Sequence, residues 1–149
     1  MVKEKVLDLA NHINRSKRGN PGEILAGDPE YMILEPIVND DMAEVGQHLI
    51  LRKAQSADEV AAKCGRSVEE TAQILWDLAV AGVCFVNKID GVDKYWLDTW
   101  VPGCMVMIVN NKENVKKFPQ LGAAFDAYVR VRGPRTAGNF PVGIGLMRV

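Results

Sequence analysis

Apolar and polar positions along this chain change period several times. Over residues 3–14, Val6, Leu7, Leu9, Ala10 and Ile13 recur at helical spacing and predict an amphipathic helix. Residues 16–28 interrupt that pattern with Gly, Pro, Asn and basic side chains, which reads as a linker or an extended arm. Tyr31-Met32-Ile33-Leu34 is a short apolar patch ended by Glu35-Pro36, expected as a strand or a docking segment. Asn39 then precedes Asp40, Asp41 and Glu44, an N-cap followed by acids at the positive end of a helix dipole. Met42, Val45, Leu49 and Ile50 supply the apolar face of that helix.

Residues 55–100 carry the clearest pattern. Ser56-Ala57-Asp58-Glu59 and Ser67-Val68-Glu69-Glu70 each set a serine three residues before a glutamate, the spacing of a reciprocal capping box. They predict helices over 57–64 and 68–81, with Gly65-Arg66 as the turn between them and Gly82 as the stop. Val60, Ala61 and Cys64 face inward on the first. Val68, Ala72, Leu75, Leu78 and Ala79 face inward on the second, flanked by Ile74 and Ala81. Val83-Cys84-Phe85-Val86 and Tyr95-Trp96-Leu97 read as strands around Asp90-Gly91. Helix, turn, helix, hairpin is the order of a winged helix. The expected fold is therefore α+β and mainly helical, a winged helix (helix-turn-helix plus β-hairpin) with additional helices and a C-terminal extended arm.

Beyond Trp100 the pattern loosens. Pro102 suits the first position of a helix that would contain the apolar run 104–109. Residues 111–118 are polar and basic, and Leu121, Ala124, Phe125 and Tyr128 predict a helix over 120–130. Residues 130–138 are basic and contain Gly and Pro; the glycine-rich apolar ending over 139–149 reads as an arm that packs against something else. The organisation is read as an N-terminal helix and arm (1–38), a winged-helix domain (39–100) and a helical extension with its arm (101–149).

Composition narrows the function classes. Apolar residues at 48% allow a modest core, and a net charge of −1 lacks the basic excess of a free-standing nucleic-acid binder. No apolar run approaches the roughly 20 residues of a membrane span, and three cysteines without a Cys-x-x-Cys pair fit a reducing, cytoplasmic setting. Cys64, Cys84 and Cys104 are expected to be structural thiols: they lie far apart, and His12 and His48 are the only histidines to join them at a metal. No hydrolase, P-loop or metalloprotease motif occurs, so the domain itself is read as non-catalytic, with no catalytic, cofactor-binding or metal residues.

The second helix of a helix-turn-helix enters the major groove when the module binds DNA. Here its early exposed positions are Glu69, Glu70, Gln73, Trp76 and Asp77, and three carboxylates would repel a phosphate polyanion. The hairpin tip, with Lys88, Asp90, Asp93 and Lys94, is not a basic wing. Those five side chains are instead read as a protein-contact face. Phe85, Tyr95, Trp96 and Trp100 are read as hairpin core rather than a base-stacking platform, and Arg130, Arg132 and Arg135 as a second contact point for an acidic partner or partner domain.

The phrases Tyr95-Trp96-Leu97-Asp98-Thr99-Trp100-Val101-Pro102-Gly103 and Val109-Asn110-Asn111-Lys112-Glu113 resemble the N-terminal region of ferredoxin-type (4Fe-4S) iron–sulfur proteins of anaerobic bacteria. Ala137-Gly138-Asn139-Phe140-Pro141-Val142-Gly143 and Leu146-Met147-Arg148-Val149 are similar to that family's passage out of the region. The resemblance implies a winged-helix-like domain preceding a cysteine-rich part that binds four-iron clusters and transfers electrons. None of the three cysteines here matches a cluster motif, so no ligand carries over, and the clusters are expected in a C-terminal part of a longer parent protein. The expected role is a non-catalytic, protein-contacting domain in electron transport, touching its own cluster-binding domain or a redox partner. The alternative is a DNA-binding transcriptional regulator acting as a dimer; a homodimer is compatible with either.

Overall fold

The computed structural model describes residues 1–15 and 22–137, with side chains given as far as 134. It is α+β, with helices dominating and one small antiparallel sheet. The chain begins with α1 (Glu4–Arg15), whose Val6, Leu9, Ala10 and Ile13 are buried at the predicted spacing. Tyr31 to Leu34 is not a strand but the body of a helix, α2 (Pro29–Leu34). Asp28 stands before it, accepting from Leu25 N at 2.8 Å through its side chain and from Tyr31 N and Met32 N through its carbonyl. Pro29 fits the first turn because its missing N–H would have no intrahelical partner there. The preceding stretch is not a free linker where it is described, since Ile24 is buried and Asn11 bonds both Ile24 N and Ile24 O.

Next come α3 (Asp40–Gly46), β1 (Gln55–Ser56), α4 (Ala57–Cys64) and α5 (Val68–Val80). Asn39 caps α3 by accepting from Met42 N at 2.9 Å. Met42, Val45 and Leu49 are buried, but Ile50 turns outward. The segment after α3 is closed by Gln55, itself buried, which accepts from Ile50 N and donates to the His48 carbonyl. The capping box of α4 is complete: Glu59 N donates to Ser56 Oγ, and Ser56 N donates to Glu59 Oε2. The box of α5 is half made. Ser67 accepts from Glu70 N, but the Glu70 carboxylate bonds Arg66 instead of reaching back. Leu75 and Leu78 face inward as predicted; Val68 does not, and Thr71 occupies the buried position of the first turn.

The hairpin is tighter than the apolar pattern suggests. β2 (Phe85–Ile89) pairs with β3 (Val92–Trp96) across Asp90-Gly91, both at positive φ, and Val83 and Cys84 are buried connecting residues rather than strand. β1 adds a third strand on the far side of β3, in the order β1-β3-β2. Tyr95 and Trp100 are buried, while Phe85 and Trp96 stack at 6.0 Å and stay partly exposed.

Pro102 does not open a helix. It follows a cis peptide in extended backbone, and α6 (Met105–Asn110) starts after it. Residues 111–118, expected to be merely polar, contain α7 (Lys112–Lys117), capped by Asn111. The last helix, α8 (Gln120–Ala137), runs seven residues beyond its expected end at Arg130 and holds Pro134 in its final turn. Among its buried side chains, Leu121, Ala124 and Tyr128 join one apolar cluster that includes Val6, Leu34, Leu49, Leu78, Trp100 and Ile108. The expected C-terminal arm at 139–149 lies outside the described residues.

Candidate functional site

Helix α5 is anchored at both ends, which fixes what it turns outward. At its start Ser67 caps it. At its end Gly82, φ +83°, packs so closely on α6 that a Cβ would lie 2.9 Å from Ile108 N and from the Met107 carbonyl carbon. Leaving the helix, the Val80 carbonyl accepts from Asn111 Nδ2 at 2.8 Å and the Ala81 carbonyl from Asn114 Nδ2 at 2.9 Å. The two asparagines thereby satisfy carbonyls that a helix end leaves without partners, and they fix α7 across the C-terminal end of α5.

With Leu75 and Leu78 turned in, Glu69, Glu70, Gln73, Trp76, Asp77 and Val80 turn out. Trp76 is 50% exposed and Val80 56%, two apolar side chains one helical turn apart. All five side chains predicted on this helix therefore lie on its solvent face. Gln73 Nε2 donates to Asp77 Oδ1 at 2.9 Å, which aligns the carboxylate along the helix.

The one cation at the start of α5 is committed to neighbouring acids. Arg66 bonds Asp41 at 2.7 Å and Glu70 at 2.6 Å and lies 3.5 Å from Glu44, with its side chain only 17% exposed. These bonds raise its pKa, led by Asp41 and Glu70, so it remains charged and held. Lys5 extends the network from α1 to Glu44 at 2.7 Å; that hydrogen bond holds the Glu44 carboxyl below its ordinary value and raises the Lys5 pKa. No cation of this network points off the α5 face to neutralise a phosphate.

Beside this face, a groove of about 660 Å³ opens between α3, α5, α7 and residues 36–37. Its floor is apolar, with Ile37, Met42, Val80 and Phe118. Charged groups on it are Asp77 from α5 and Glu113, Lys116 and Lys117 from α7. Lys117 Nζ sits 5.2 Å from the centre of the Phe118 ring. The groove was not legible in the sequence, because α7 was not expected.

The predicted arginine cluster divides. Arg130 is exposed and pairs with Asp126 one turn back at 2.7 Å. Arg132 is engaged within the fold: its Nε and Nη2 bond the two carboxylate oxygens of Glu30 at 2.7 and 3.2 Å, and Glu30 is buried. Arg135 lies in α8, but its side chain is outside the described residues.

Cys84 and Cys104 are buried and Cys64 partly so. Burial pushes the Cys84 thiol up to about 12, the behaviour of an inert packing group. Among the described residues no three His, Cys, Asp or Glu side chains converge as a metal-ligand set, and no helix is long and apolar enough to cross a membrane. No protein-family model, curated protein or solved structure matches the chain.

Proposed function

We propose that this chain is a winged-helix module that contacts protein rather than nucleic acid, serving as the leading domain of a ferredoxin-like (4Fe-4S) electron-transfer protein. The order α3, β1, α4, α5, β2, β3, with β1 added to the hairpin, supports the winged-helix reading. The observation that carries the functional reading is the solvent face of α5. It sets Glu69, Glu70 and Asp77 around an exposed Trp76 and Val80 where a DNA-reading helix needs cations. A half-exposed tryptophan is the type of anchor that dominates protein interfaces. The domain performs no chemistry of its own in this reading; it orients the cluster-bearing part or a redox partner in the cytoplasm. The resemblance at Tyr95 to Gly103 and Val109 to Glu113 supplies the iron–sulfur context.

Two measurements test it. A low-salt anisotropy titration with labelled duplex DNA is expected to show no saturable binding; tight binding that weakens steeply with salt would favour the regulator. The native protein, isolated anaerobically, is expected to exceed this chain in mass and to contain iron in multiples of four. An iron-free native protein of this chain's mass would refute the electron-transfer role.

A further inference from the structure

We draw no further inference here: the strongest candidate, the apolar-floored groove between α3, α5 and α7 with the exposed Val80 in its lining, carries nothing, because its acids and lysines are interspersed and nothing in the structure shows what covers it.

Discussion

Removing Arg132 should destabilise the fold far more than removing an ordinary surface cation. Its partner Glu30 is 1% exposed and receives two bonds from the guanidinium, while the Arg132 side chain is 22% exposed. Asp28 lies 3.7 Å from the same group. In Arg132→Ala a buried carboxylate loses its bidentate partner, a change worth about 3–5 kcal/mol where both groups are fully buried. The partial exposure of Arg132 admits water to the site, so the expected loss is about 2–4 kcal/mol. Equilibrium urea unfolding at neutral pH, followed by far-UV circular dichroism with m held common, measures it. Glu30→Met together with Arg132→Met removes both charges while filling similar volume, and is expected to lie within about 1.5 kcal/mol of the parent. The double-mutant cycle then gives a coupling energy well above the ~0.2–1 kcal/mol of a surface pair. A loss under about 0.5 kcal/mol for Arg132→Ala would refute the reasoning, because it would mean that Glu30 finds solvation without its arginine.

Two further outcomes follow from local geometry and charge. Gly82→Ala puts a Cβ 2.9 Å from the α6 backbone at φ +83°, whereas Gly65→Ala, at φ +69°, meets open space. The first is expected to cost about 2–4 kcal/mol and the second about 1 kcal/mol, as read from paired urea curves. Glu59 is held below its ordinary value of 4.5 by the Ser56 backbone bond, and Glu44 by Lys5. A carboxyl whose folded pKa is depressed contributes stability above its unfolded pKa and loses it as pH falls through the folded value. Stability should therefore decline below about pH 4.5, and Glu59→Gln should flatten that decline; an unchanged slope in the variant would count against the capping box as its source.

Local signals made the central helices and hairpin legible, because their determinants lie within a few residues of each other. Asn39, Ser56 and Ser67 each cap the helix that follows, and Asp90-Gly91 turns the hairpin. Where the pattern was ambiguous, the error has a physical source. Four apolar residues at 31–34 suit a strand or a buried helix equally, and only Asp28-Pro29 before them distinguishes the two. The start of α5 shows a subtler failure. Glu70 has the spacing to complete a capping box, but Arg66 lies one turn back and a charge-assisted bond at 2.6 Å outcompetes a bond to a backbone amide.

The outward face of α5 could be read from helical spacing alone, since burial of Leu75 and Leu78 dictates the exposure of Glu69, Gln73, Trp76 and Val80. The groove beside it could not. It exists because Asn111 and Asn114 reach 31 and 33 residues back to bond the carbonyls of Val80 and Ala81, and no local period encodes that reach. The same holds for Arg132, which looks like one of three clustered cations until Glu30, 102 residues away, is brought beneath it. Sequence periodicity thus specifies which side chains a helix shows to solvent. Long-range polar bonds decide which of the shown charges are already taken. On α5 and α7 they leave Asp77, Glu113, Lys116 and Lys117 without an ion pair among the described residues, whereas at the N-terminal end of α5 they commit Arg66 to three acids. That division gathers the committed charges at the N-terminal end of α5 and leaves those around Val80 without ion pairs among the described residues.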